Sequence, residues 1–183
     1  MTSLLLVGGG IAAIVIYIWT LYNGFITLKA QIEEAWSQID VQLKRRLDLI
    51  PNLVSSVKGY AKHEKSVFEN VTKARSSLMK AETPEGMAKA NDQLTGALKS
   101  LFAVAEAYPQ LRANENFLGL QKELSDTEDK VAYARQFYNS TVMDYNVKVR
   151  VFPNALVANA FSFKEQPFFK ATDEERKGVK VEF

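Results

Sequence analysis

The side chains that most often carry metal or acid–base chemistry are scarce in this chain. Its 183 residues contain one histidine and no cysteine. The dipeptide His63-Glu64 lacks the second histidine of a helical His-Glu-x-x-His zinc site, and cysteine nucleophiles and cysteine-bound metals are excluded. The glycines at residues 8–10 are not followed by the Lys-Ser/Thr pair of a phosphate-binding loop. We therefore predict no catalytic residues, no bound metal and no cofactor.

Polar residues on the predicted helix seams are more informative. Arg46 and Glu64 fall at core positions of a long first helix, and Glu128 and Arg135 lie seven residues apart on a later one, as do two asparagines. Residues seven apart share a helix face, and buried charges need partners. Glu64 and Glu128 could form a catalytic pair of carboxylates. The nearby arginines favour the alternative, in which these glutamates form interhelical ion pairs that fix the register of the helices. The predicted structural network comprises Arg46, Glu64, Glu128, Arg135, Asn139 and Asn146.

Composition narrows the class of protein further. Apolar residues make up 47% of the chain, which is typical of a folded protein rather than a disordered one. The 23 Lys and Arg residues are nearly balanced by 21 Asp and Glu residues, for a net charge of +2. Dedicated nucleic-acid binders carry a stronger basic excess, so we predict no nucleic-acid partner.

An uncharged N-terminal segment predicts a membrane anchor. Residues 4–21 read LLLVGGGIAAIVIYIWTL, and about 20 apolar residues suffice to cross a hydrocarbon core. Glycines permit close packing of membrane helices, and aromatic residues collect at membrane interfaces. A cleaved signal peptide would need a basic start and a shorter apolar core. The residues assigned to the anchor are Leu4, Gly8, Gly9, Gly10, Trp19 and Tyr22.

The charges that flank the anchor predict its orientation. No charged residue precedes Lys29, so the positive-inside rule places the N-terminus outside and the remaining chain in the cytoplasm. We therefore divide the chain into a short external tail at residues 1–3, a single transmembrane anchor at residues 4–28, a helical bundle at residues 29–153 and a phenylalanine-rich tail at residues 154–183.

Helical periodicity dominates the soluble part. Apolar residues recur in alternating steps of four and three over residues 32–78, which predicts one long helix with a coiled-coil-like seam, kinked near Pro51. Thr83 suits the N-cap of a second helix, and Asn114 suits the start of a third. The core positions of the third helix recur in the same alternating steps from Phe117 to Tyr145, and they are Phe117, Leu120, Leu124, Thr127, Val131, Ala134, Tyr138, Thr141 and Tyr145. No stretch alternates with the period of a strand. The predicted fold is all-α, an N-terminal transmembrane helix followed by an antiparallel bundle of three to four long helices.

The C-terminal tail carries a large apolar load for its length. Two alternatives follow: the tail folds back and covers the bundle, or it contacts the membrane or partner subunits. The phenylalanines considered for self-association or membrane contact are Phe161, Phe163, Phe168 and Phe169.

One long motif resembles a known family. Residues 41–54 read VQLKRRLDLIPNLV, and residues 106–109 and 113–117 read EAYP and ANENF. This pattern is similar to the signature of the LemA family of bacterial membrane proteins, with Leu47 where alanine is more usual. The resemblance implies an inner-membrane location, a single N-terminal transmembrane helix, a short outside tail, an antiparallel helical cytoplasmic domain and no known enzymatic activity.

Two functional hypotheses follow from these features. The first is a non-enzymatic, membrane-anchored helical scaffold that self-associates as a homo-oligomer and shapes or organises the lipid bilayer. The second is a monomeric regulatory or adaptor protein that binds another envelope protein, such as a membrane protease in a stress response. The oligomeric state in a membrane distinguishes the two hypotheses.

Overall fold

The computed structural model describes residues 1–169 of the chain. Every regular element in that range is a helix, which confirms the all-α fold class. The part of the predicted tail at residues 170–183 lies outside the described residues. The helices are α1 (Thr2–Tyr60), α2 (Lys65–Met79), α3 (Pro84–Glu106), α4 (Pro109–Arg112), α5 (Glu115–Arg150) and α6 (Asn154–Ala160).

The described chain divides into two compact units. Unit 1 contains Met1–Ser37 and Gln136–Pro167, and unit 2 contains Gln38–Arg135 with Phe168 and Phe169. Helices α1 and α5 contribute residues to both units. The predicted domain boundaries at residues 28 and 153 fall inside unit 1. These boundaries describe where the chain enters and leaves the membrane, and the division into packed units does not test them. They therefore stay predictions.

In unit 1 the two long helices run antiparallel. The Phe25 and Tyr145 rings lie 6.2 Å apart between centroids, and the Trp36 and Tyr138 rings lie 5.5 Å apart. Residue numbers therefore rise along α1 as they fall along α5. Phe25, Tyr138 and Tyr145 are buried, so these aromatic contacts form the core that joins the two helices.

In unit 2 a second core is supplied by α1 after Gln38, by α2, by α3 and by α5 before Gln136, and the short α4 adds the fully buried Leu111. The Phe102 and Phe117 rings meet edge to face at 6.4 Å between centroids. The periodic positions predicted for the third helix coincide with the buried face of α5 in both units, except for the half-buried Leu120. These buried residues are Phe117, Leu124, Thr127, Val131, Ala134, Tyr138, Thr141 and Tyr145.

The predicted helix over residues 32–78 is two helices, which corrects the expectation of one rod. Helix α1 ends at Tyr60, and α2 begins at Lys65. The seam is buried on both sides of this break, but Tyr60 is exposed and Glu64 is half-buried. Glycine weakens a helix, and Gly59 precedes a strongly polar run at residues 62–65. The chain reverses here, because residues 62–65 have no apolar side chain whose burial would hold them in a continued helix.

Pro51 lies inside α1 without ending it. Proline has no N–H to donate to the carbonyl four residues earlier, which here belongs to Leu47. The side chain of Arg75 on α2 supplies that donor, because its Nε donates to the Leu47 carbonyl oxygen at 3.1 Å. The hydrogen bond that proline removes from the helix is thus replaced by one between two antiparallel helices.

The N-caps predicted for the later helices are present. The Thr83 hydroxyl accepts a hydrogen bond from the Gly86 N–H at 3.1 Å, at the start of α3. The Asn114 side-chain oxygen accepts from the backbone N–H groups of Asn116 and Phe117 at 3.0 and 3.2 Å, at the start of α5. Both side chains satisfy backbone donors that have no partner within the helix.

Candidate functional site

The first turns of α1 form an apolar surface without a cover. Within residues 1–169, α1 is the one helix long and apolar enough to cross a membrane. The Leu4 and Trp19 side chains of the predicted anchor are exposed. A Cβ atom added at Gly8, Gly9 or Gly10 would meet no atom within 4 Å. A bare apolar helix surface of this length is suited to lipid or to another such helix.

Unit 2 contains a polar cluster centred on Arg46. This side chain is only 1% exposed. Its Nη1 donates to the Asn91 side-chain oxygen at 2.7 Å, and its Nη2 donates to the Thr95 hydroxyl at 3.0 Å. The Glu128 carboxylate lies 3.5 Å from Nη2, and its side chain is 52% exposed. Residues from α1, α3 and α5 therefore meet at one buried guanidinium.

The electrostatics of this cluster favour a structural role. Burial lowers the pKa of the Arg46 guanidinium from its usual value, and the carboxylates of Glu128 and Asp92 partly oppose that change. A cavity of about 280 Å³ adjoins the cluster and is lined by residues of both charges. In the described part of the chain, no three His, Asp or Glu residues come together as a metal site would require.

The structure brings together only part of the predicted network. Arg46 and Glu128 are in contact, and Arg135 lines the same cavity as both. Glu64, however, precedes α2 and is half-buried. Helix α1 continues for about 20 Å from Arg46 to its end at Tyr60, and Glu64 lies beyond that end. Placing Glu64 in this cluster, or in a carboxylate pair with Glu128, is therefore wrong, because the chain reversal puts it at the far end of α1.

The remaining predicted network residues lie farther along α5. The Arg135 guanidinium stands 4.8 Å from the centre of the Phe169 ring, in a cation–π contact. Asn139 is half-buried. Asn146 is buried, and it binds the backbone of Gln166 twice: its amide donates to the carbonyl at 2.9 Å, and its oxygen accepts from the N–H at 2.8 Å. Asn146 thus holds the chain that follows α6.

Sequence reasoning missed the two α3 residues that bind Arg46. Asn91 and Thr95 were not singled out, although Asn91 occupies a core position in the spacing that buries Leu94, Leu98 and Leu101. A polar residue at a core position needs a buried partner. That single irregularity in an apolar pattern is the signal that identifies Asn91, whereas Thr95 carries no comparable signal.

The phenylalanines of the tail differ from one another. Phe163 stacks on Phe25 at 4.8 Å between centroids, and Phe169 is fully buried beneath Arg135. The prediction that Phe169 contacts a partner subunit or the membrane is therefore wrong, because other residues of the same chain cover its ring. The main contact of Phe163 is its packing on α1. Phe161 contacts Tyr22 at 5.0 Å but remains 50% exposed, and Phe168 is also exposed.

Comparisons with known proteins agree with this architecture. The sequence model of the LemA family matches residues 35–183. The chain is 25% identical to magnetosome protein MamQ 2 of Paramagnetospirillum magneticum over 189 residues, covering 87% of this chain and 70% of the relative. It is 28% identical to Protein LemA of Metamycoplasma hominis over 153 residues, covering 81% of this chain and 68% of the relative. The similarity thus extends over most of the helical chain.

Proposed function

This chain belongs to the LemA family, and from that premise we propose that it is a non-enzymatic, membrane-anchored scaffold that self-associates in the bacterial inner membrane. Membrane association agrees with the bare apolar half of α1. The names of the relatives reported above state no enzymatic activity. The Arg46 cluster favours a structural role, because its buried charge is held by hydrogen bonds and not presented to a substrate.

One observation carries the proposal of self-association: the outer face of α5 in unit 1 is apolar and uncovered. Met143, Val147 and Val151 are spaced by four residues, so they form one stripe along α5, and all three are exposed. Copies anchored in one membrane share the same orientation and height. The same apolar stripe of two copies can therefore meet at one level, and burying it removes apolar surface from water.

The heptad seam of α1 does not provide this interface. Its positions from Ile32 to Val57 are buried within the chain or half-buried, so that seam is already covered. The glycines of the anchor remain open and would let neighbouring spans approach closely. Self-association would then combine a contact between spans with a contact between α5 faces.

Sedimentation of the full-length protein in mild detergent tests the scaffold proposal. We expect a homo-oligomer that is weakened by Gly9→Leu, which meets no atom of its own chain, and by the pair Met143→Lys and Val147→Lys. The control pair Gln110→Lys and Gln121→Lys adds the same charge at exposed polar positions and should leave the oligomer intact. A wild-type protein that stays monomeric at all concentrations would refute the proposal.

The proposed orientation has the N-terminus outside and the chain from Lys29 onward in the cytoplasm, in keeping with the positive-inside rule. A reporter that is active only in the cytoplasm, fused after Phe183, should be active. If instead a reporter that is active only outside the cytoplasm is active at this position, the orientation is the reverse of the one proposed.

A second candidate function, a monomeric adaptor, is favoured by a groove of about 640 Å³ in unit 2. Its walls carry Val54 and Phe68 together with four lysines and one acidic residue, Glu69, which lies 3.8 Å from Lys65. Lysines around an apolar floor suit an acidic segment of another envelope protein. The lysines are Lys58, Lys62, Lys65 and Lys73. If the protein sediments as a monomer, this groove becomes the principal interaction surface.

A further inference from the structure

Unit 1 exposes an apolar surface where α5 ends and α6 begins. The exposed fractions of Phe152, Leu156 and Phe161 are 83%, 64% and 50%. We refer to these three residues as the apolar turn. They lie within residues 151–163, a run without any charged side chain that is bracketed by Arg150 and Lys164.

The apolar turn lies beside the transmembrane part of α1. Phe161 contacts Tyr22, whose ring is 5.0 Å away between centroids. Because α5 runs antiparallel to α1 and Tyr145 adjoins Phe25, the chain after Tyr145 advances towards the N-terminal half of α1. Seven further residues correspond to about 10 Å of helical rise, which places Phe152 at the level of Ile18.

Burial along α1 independently supports this position. Within residues 1–21, Ile18 and Leu21 are half-buried and all other residues are exposed. Both residues belong to the apolar run of the anchor, so the packed part of unit 1 reaches that run. The ammonium of Lys148 lies 5.2 Å from the centre of the Phe25 ring, about one turn beyond the apolar run at residues 4–21.

Lipid is the occupant that fits this surface. About 20 residues of α1 cross the hydrocarbon core, so in an anchor that begins at Leu4 the level of Ile18 lies within about 10 Å of the edge from which the rest of the chain emerges. Exposed phenylalanine and leucine side chains are favourable there, and amphipathic segments insert by about 5–10 Å at this boundary. Lys148 and Lys164 then lie towards the headgroups, where basic residues are favourable, whereas Arg150 is paired with Glu165.

We propose that the apolar turn is a second membrane-contact site, inserted beside the anchor into the leaflet from which the soluble part emerges. It adds a contact between the bilayer and the segment that joins α5 to α6, beside the contact made by α1 itself. The proposal goes beyond the scaffold function, because a monomeric adaptor would insert the same residues.

Depth-dependent fluorescence quenching tests this insertion in the full-length protein. The chain has no cysteine, so Phe152→Cys or Leu156→Cys gives a single labelling position for an environment-sensitive nitrobenzoxadiazole dye. The variants are reconstituted into phosphatidylcholine–phosphatidylglycerol vesicles at high dilution, which favours single copies. The control is Lys130→Cys, an exposed position about 30 Å along α5 from its end.

The expected result is strong quenching by lipids brominated in the acyl chain at positions 152 and 156, and none at position 130. Aqueous iodide should quench positions 152 and 156 about fivefold less than position 130, because a charged ion is excluded from hydrocarbon. Iodide quenching equal to the control, without lipid quenching, would overturn the proposal. Protection from both quenchers would also overturn it, in favour of a protein contact.

Discussion

The buried contact between Arg46 and Asn91 provides the sharpest test of how unit 2 is held together. The two side chains are 1% and 4% exposed, and they share a hydrogen bond of 2.7 Å. We consider Arg46→Met and Asn91→Leu, each alone and both together. Methionine and leucine retain much of the original side-chain volume, so the loss of the polar contact dominates the effect.

Each single change should be costly for a different reason. Arg46→Met leaves the buried Asn91 oxygen without its donor, which costs about 1–3 kcal/mol in the free energy of unfolding. Asn91→Leu leaves the buried guanidinium without its closest acceptor, and a hydrogen bond to a charged group contributes about 1.5–3 kcal/mol. The double variant removes both polar groups and should be only about 1 kcal/mol less stable than the wild type.

The coupling energy from this cycle, the sum of the two single costs less the cost of the double variant, should therefore be about 1.5–5 kcal/mol. It is measured by guanidinium unfolding of the full chain in detergent, followed by the loss of helical circular dichroism. The control cycle combines Asn91→Leu with Arg45→Met, which changes an exposed arginine next in sequence. The control should be additive within about 0.5 kcal/mol.

Equal coupling in both cycles would refute this account of Arg46. So would a double variant that is as unstable as the sum of the single variants. Glu128→Gln alone should cost at most about 1 kcal/mol, because its half-exposed carboxylate forms a contact largely screened by water.

Two further predictions concern backbone and pH. Arg75→Leu should destabilise the chain by about 1–3 kcal/mol, because the Leu47 carbonyl loses its donor. In a Pro51→Ala background the restored helical N–H should make the same change nearly neutral, and an equal cost in both backgrounds would contradict this account. The hydrogen bond from Arg150 holds the pKa of Glu165 below its ordinary value of 4.5, so the stability from this pair is present above that pH and is lost as the pH falls through the lower folded-state pKa. Thermal melting of a Glu165→Gln variant should lack this acid dependence, and an unchanged pH profile would exclude the pair as its source.

The sequence alone was sufficient for the features that depend on local chemistry. An uncharged apolar run before Lys29 predicts the anchor, and α1 is long and apolar enough to cross a membrane there, because that capacity depends on length and apolarity rather than on partners. Helical spacing identified the buried face of α5 from Phe117 to Tyr145, because one side of a helix must face the core. Thr83 and Asn114 marked helix starts, because a cap involves only residues within one turn.

The tertiary structure decided what those elements contact. The heptad spacing of residues 32–78 continues through the break after Tyr60, because two helices that face one core share the pattern of a single long helix. The partners of Arg46, the replacement of a backbone hydrogen bond by Arg75 and the burial of Phe169 all join residues distant in sequence. Spacing along one helix determines which residues share a face, but only the packing of the helices determines which faces meet.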